Sequence, residues 1–145
     1  MFKHILLPTD GSDLSTRAVR AGINLAKSVE ARVTVVHATT PFDASQMLTQ
    51  QMKELARELE ERAKSDAARA LEPAKDAARE AGVACDVLHQ ASDSPSEEII
   101  KVATEQGCDL ILMASHGRRG ISALLLGSET AKVLTHSKVP VLVWR

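Results

Sequence analysis

Three of the chain's seven glycines, Gly117, Gly120 and Gly127, fall within eleven residues, between an apolar run at Leu110 to Met113 and a helical segment opened by Ser128. Glycines let backbone N–H groups approach an anion, and the first amides of a helix have no intrahelical partner, so a strand-to-helix connection of this composition suits phosphate. A second cluster, Pro8-Thr9-Asp10-Gly11-Ser12, places a carboxylate, two hydroxyls and a glycine after the first apolar run. A carboxylate accepts hydrogen bonds from ribose hydroxyls but repels phosphate. Asp10 therefore belongs near a sugar, and Gly117, Gly127 and the amides after Ser128 near phosphate oxygens, where each charge-assisted bond contributes about 1.5 to 3 kcal/mol. Arg118 and Arg119 either add charge to that wall or stand as solvated loop residues. Asp10 has a plainer reading too, as a turn carboxylate that stabilises the start of a helix.

Both clusters need a scaffold. Short apolar runs at His4 to Leu7, Val33 to His37, Val83 to Leu88, Leu110 to Met113 and Val139 to Val143 alternate with longer amphipathic stretches. This pattern predicts a doubly wound α/β fold: a five-stranded parallel sheet with strands buried on both faces, right-handed crossovers and helices on both sides. With strand order 3-2-1-4-5, the exits of strands one and four form the two walls of a crevice. At 145 residues and 44% hydrophobic, the chain fits one domain over 1–145 with a single core.

The helices carry their own punctuation. Ser12 caps the first, with Asp13 in its opening turn, Ser94-Pro95-Ser96-Glu97 combines a capping box with proline at the first helical position, and Ser128, followed by Glu129, caps the fourth. The second helix is expected from about Ala44 to Ala81, with Leu48, Met52, Leu55, Leu59, Ala63 and Ala67 on one apolar face and mixed charges on a solvated one. Pro73 is expected to kink or interrupt it near Glu72.

Composition excludes several classes. Basic and acidic residues nearly balance, 18 against 19, and two Phe, one Trp and no Tyr leave no base-stacking platform, which argues against DNA or RNA binding. No apolar run approaches a membrane span and no signal-peptide anatomy follows Met1, so a soluble, cytoplasmic protein is expected. Cys85 and Cys108 lie outside any metal-ligand spacing and read as buried, inert thiols of a reducing compartment.

Other nucleotide and hydrolytic chemistries fit less well. The Gly-x-x-x-x-Gly-Lys run of a Walker loop is absent. A receiver domain needs a paired acidic cluster after strand one and an acceptor Asp ending strand three. A flavodoxin needs a hydroxyl-rich loop after strand one and aromatic shelves for FMN. Ser115 and His116 are adjacent, which should turn a nucleophile and its base apart, and the Gly-x-Ser-x-Gly elbow is missing. His4, His37, His89 and His136 show no metal-ligand pairing, so packing and capping roles are expected. Slow hydrolysis of a bound nucleotide stays open, with Asp10 the one evident general base; the chain reads as a binding module and not as a committed enzyme.

From end to end the chain resembles the small, single-domain universal stress proteins of the ATP-binding kind. Their motif runs Gly, two residues, Gly, nine residues, then Gly with Ser or Thr; here Gly117 is followed by nine residues and Gly127-Ser128, and His116 is also family-like. Pro8-Thr9-Asp10 and His37-Ala38 match the family's ends of strands one and two. The resemblance implies ATP, or AMP, with Mg2+ on its phosphates. Adenine would lie near Thr9 and the backbone of Ala38, ribose near Asp10 and position 114, and phosphates against Gly117, Gly127, Ser128 and Glu129. Pro8, Met113, His116, Arg118 and Thr130 complete the implied site. Ala114 departs from the motif, standing where the family has its first glycine. If that position needs φ > 0, alanine costs roughly 1 to 2 kcal/mol; if only close approach is needed, the methyl is tolerated. The resemblance also implies a homodimer, in keeping with strand 139–143 as an apolar sheet edge. The alternative is an interaction protein with a vestigial nucleotide site that acts through its dimer surface.

Overall fold

The computed structural model describes residues 1–41, 45, 47–118 and 125–145. The expected helix start at Ala44, and Arg119 and Gly120 of the glycine segment, lie outside the described residues. Strands β1 (His4–Pro8), β2 (Arg32–Thr39), β3 (Cys85–Ala91), β4 (Leu110–Ala114) and β5 (Val141–Trp144) alternate with helices α1 (Asp13–Val29), α2 (Gln50–Ala81), α3 (Pro95–Glu105) and α4 (Ser128–His136). The sheet order is β3-β2-β1-β4-β5 with every pair parallel, as the alternation predicts. Among the described residues no helix is long and apolar enough to cross a membrane.

β1 and β4, at the centre, are buried along their whole length. Ile5, Leu7, Leu110, Leu112 and Ala114 face an apolar layer with Val19 and Ile23 of α1 and Leu71 and Ala78 of α2. Leu6, Ile111 and Met113 face the opposite layer, with Ile99 and Val102 of α3 and Val133 of α4. Two-faced burial fails at the flanks, where β3 is at most half-buried and β5 alternates between half-buried and exposed. Each flanks the sheet with a neighbour on one side only. β5 also starts later than expected: the Val139 N–H donates to Ser137 Oγ at 3.0 Å and Pro140 has no N–H, so pairing begins at Val141. Asp109, just before β4, accepts from the Lys3 and His4 amides at 2.8 and 3.0 Å and ties the start of β1 beside it.

Three helix expectations need correction. Ser12 does cap α1, its Oγ accepting the Ser15 N–H at 3.3 Å. The Ser94 side chain, however, makes no cap bond; the Ser96 N–H donates instead to Glu129 Oε2, at 2.8 Å, from the neighbouring α4. A carboxylate from another helix replaces the local capping box. At α4 the cap is Gly127, and Ser128 is the first helical residue.

α2 departs most. It runs through Pro73 without interruption; the roughly 3 kcal/mol that an internal proline costs is offset by burial of Leu71, Ala74 and Ala78 around it. Its expected apolar face is largely exposed, with Leu48 at 91%, Met52 at 41%, Leu55 at 56% and Leu59 at 37%. A helix of 32 residues extends about 48 Å, well beyond the length of any strand here, and only Ala56 is buried in its first half. The sheet offers the amino-terminal face nothing to pack on.

Candidate functional site at the β1 and β4 exits

β1 and β4 pair in parallel, Ile5 against Leu110 and Leu6 against Ile111, so both leave the sheet at one edge. After Pro8, the Thr9 N–H donates to the Val36 carbonyl at 2.9 Å and closes the ladder to β2. Thr9 Oγ1 is buried, 3.0 Å from Ser15 Oγ, and accepts the Gly11 N–H at 3.2 Å. Gly11 turns the chain with φ +78°. Because the Val36 carbonyl faces β1 and the Thr39 carbonyl accepts from Ser92 on the β3 side, at 2.7 Å, alternation directs the Ala38 N–H and C=O toward β1, past its last residue. One backbone donor and one acceptor thus line the crevice floor.

Asp10 stands between the walls. Its Oδ1 accepts the Ser12 N–H at 2.9 Å and its Oδ2 the Arg118 N–H at 2.8 Å. Burial alone would raise its pKa, but hydrogen bonds from Ser12, Ser15 and the Arg118 amide hold it below the usual carboxylate range. Asp10 is therefore ionised at neutral pH. Gly117 packs so closely that a methyl on it would collide with Asp10 Oδ2. That close approach, across more than a hundred residues of sequence, is why position 117 takes glycine.

The second wall closes on itself. Ser115 still donates to the Trp144 carbonyl at 2.7 Å, and its own carbonyl accepts the Gly127 N–H at 2.8 Å, so the connection returns to the place it left. Gly127 has φ −61°, which any residue adopts, but a methyl there would lie 3.0 Å from His116 Cα. Thr130 Oγ1 is buried and donates to the Ala114 carbonyl at 3.0 Å, pinning the start of α4 to the end of β4. Ala114 itself is strand backbone without positive φ, and its methyl packs in the α1-side core. A left-handed backbone at this position, and its cost, are ruled out.

Other expected residues fall differently. Met113 is buried in the α3–α4 layer. Glu129 turns its carboxylate to the Ser96 amide and to Lys132 Nζ, at 2.8 and 2.9 Å. Burial would raise its pKa, yet Lys132 and Ser96 hold it down. Ser115 and His116 do not face apart: Ser115 Oγ lies 3.1 Å from His116 Nδ1. No bond from His116 to a carboxylate completes a triad among the described residues.

His4 packs as expected, 2.7 Å from Thr34 Oγ1 and 3.0 Å from the Gln106 carbonyl. Among the described residues no three His, Cys, Asp or Glu side chains could hold a metal ion. Both cysteines are free, Cys108 buried but Cys85 only half-buried, against expectation; burial raises both thiols, Cys108 to about 11.

Two residues of the neighbourhood, Ser15 and Ala70, carry no site signal in the sequence, and His37 is legible only through the motif match of His37-Ala38. Ser15 reaches Thr9 only because a helical turn brings it back from Ser12. His37, near the end of β2, has a buried Nδ1 without a partner among the described residues and a ring 6.0 Å from that of His89; burial, His89 and Arg118 outweigh Asp10 and lower its pKa. Ala70 of α2 meets the Gly11–Arg118 contact although it sits within a helix read only for its apolar stripe.

An open parallel sheet whose order switches between β1 and β4 defines a doubly wound α/β protein, the kind of sheet whose carboxyl edge serves as a ligand crevice in other proteins. The chain belongs to the universal stress protein family, whose match spans residues 1–145. It is 32% identical to universal stress protein YxiE of Bacillus subtilis (strain 168) over 149 aligned positions, covering 100% of both chains. The solved structure of MJ0577 from Methanocaldococcus jannaschii superposes with a TM-score of 0.79 at 30% identity, over 99% of this chain and 95% of that one. A universal stress protein solved in complex with cAMP superposes at 0.72 with 25% identity, over 99% and 97% of the two chains.

Proposed function

We propose that the chain is an adenine-nucleotide-binding module of the stress response, acting as one domain, taking ATP, with AMP as the variant. The observation that carries this reading is the meeting of Asp10 with Gly117 and Arg118 beside the Gly127–Ser128 helix start and the Ala38 backbone. The cAMP complex of a relative at 25% identity supports the ligand class. Thr9 and Ala38 would hold the base, Asp10 the ribose, and the amides of Gly117, Arg118 and Ser128 the phosphates. Mg2+ would be held by phosphate oxygens and water. Any hydrolysis is expected to be slow, because both Asp10 oxygens already accept backbone amides.

Calorimetric titration of ATP and AMP into the wild type and Gly127→Asp tests the site. The wild type should bind saturably, and the variant roughly tenfold or more weakly, the equivalent of one lost phosphate contact plus repulsion. Equal affinities would place the ligand elsewhere.

The self-satisfied Asp10 favours one second reading, a vestigial nucleotide site on a protein that acts through its dimer surface. Thermal melting separates the two, since ligand at a hundred times its dissociation constant adds about 2.7 kcal/mol. In both readings β5 pairs with its own copy, through strand 139–143, covering an edge that exposes Leu142 at 39% and Trp144 at 40%. Two free, unreactive thiols suit a cytoplasmic setting.

A further inference from the structure

We propose that Gly117 and Arg118 form a strap tied across the crevice, and that a nucleotide enters by displacing the Arg118 amide from Asp10. This rests on the nucleotide reading above and adds how the site is gated. Three contacts lash the strap across the β1–α1 turn. The Arg118 N–H donates to Asp10 Oδ2 at 2.8 Å. Gly117 lies against the same oxygen, and the Arg118 guanidinium covers Gly11 so closely that a methyl there would be 3.0 Å from Nη2, with Ala70 of α2 behind it.

The strap joins the two groups that a nucleotide would need apart. Asp10 is the acceptor suited to a ribose hydroxyl, and the 117–118 amides are donors suited to phosphate; each now satisfies the other. Exchange is balanced in hydrogen bonds. A ribose hydroxyl replaces the amide as donor to Asp10, and the freed Arg118 amide and guanidinium meet phosphate oxygens, so no buried group is left unpaired. The Arg118 guanidinium is the cation beside Asp10, with neutral His37 of β2 on the other side, and release of the strap carries that cation from the sugar toward the phosphates. Apparent affinity is then reduced by the fraction of open molecules.

Nuclear magnetic resonance on the isotope-labelled full chain tests the strap. The free protein should show a through-hydrogen-bond coupling between the Arg118 amide nitrogen and the Asp10 carboxyl carbon, and saturating ATP should abolish it. In stopped flow, the wild-type association rate should level off with ATP concentration, because opening precedes binding. In Gly117→Ala, whose methyl forces Asp10 and the strap apart, the rate should keep rising without a plateau, with an initial slope about tenfold above the wild type's if one wild-type molecule in ten is open. If that variant fails to fold, the wild-type coupling decides alone. ATP binding with the coupling intact overturns the strap and leaves the nucleotide reading standing. No spectral change with ATP removes the nucleotide reading, and the strap with it.

Discussion

At the scale of single residues, the sequence exposes chemistry by type and conceals it by partner. Asp10, Gly117 and Gly127 are legible as candidates because a carboxylate and two glycines stand where strands end and helices begin. Their bonds are not legible, since the Arg118 amide reaches Asp10 across 108 positions and nothing local specifies that. Ala114 shows the reverse error. Its place in the motif suggests strain, but its backbone is ordinary strand and its methyl fills core. Ala114→Gly should therefore lower stability by about 0.5 to 1 kcal/mol through lost packing and a looser unfolded chain, with no gain in ATP affinity. Urea unfolding and calorimetry of the same protein check both halves, and a gain in affinity beyond threefold would mean that the methyl obstructs ligand.

Among the elements, strand positions and order follow from apolar runs and helical spacers, and the structure agrees to within a few residues at each end. Helix faces were harder to read, because periodicity reports amphipathicity and not what lies opposite. α2 displays the difference: its Met52, Leu55 and Leu59 repeat as a core stripe would, yet burial begins in earnest at Ala67. Leu55→Gln and Leu59→Gln should each shift unfolding free energy by less than about 0.5 kcal/mol, whereas Leu71→Ala should cost about 2 to 5 kcal/mol. Denaturant midpoints at constant slope decide the matter. A large loss from Leu55→Gln would mean that the stripe is covered in solution. The α3 start teaches the same lesson, since Ser94 and Glu97 satisfy the capping pattern while Glu129, a helix away, supplies the bond.

Taken as a whole, the molecule places its perturbed ionisable groups along the sheet's two ends. Burial and Arg32 lower the pKa of His4 from 6.5. Hydrogen bonds outweigh burial and lower Asp10 and Asp109 from 3.8 and Glu129 from 4.5. A folded-state value below the unfolded one means that stability is complete above the unfolded pKa and is lost as pH falls through the folded one. Urea midpoints should thus begin to decline as pH drops below about 6.5, from the histidines, and fall more steeply below about 4.5 as the carboxylates protonate. Asp109→Asn should flatten the acidic stage and, by removing the carboxylate that raises His4, deepen the histidine stage; a midpoint constant from neutrality to pH 4.5 would contradict the His4 assignment. One bond at the other end of the sheet has an optical consequence. The sole tryptophan of the chain, Trp144, is half-exposed and accepts through its carbonyl the amide of Ser115, the first residue past β4. An intrinsic fluorophore is therefore wired to the base of the glycine connection, and its emission can follow that connection in the unlabelled wild-type protein.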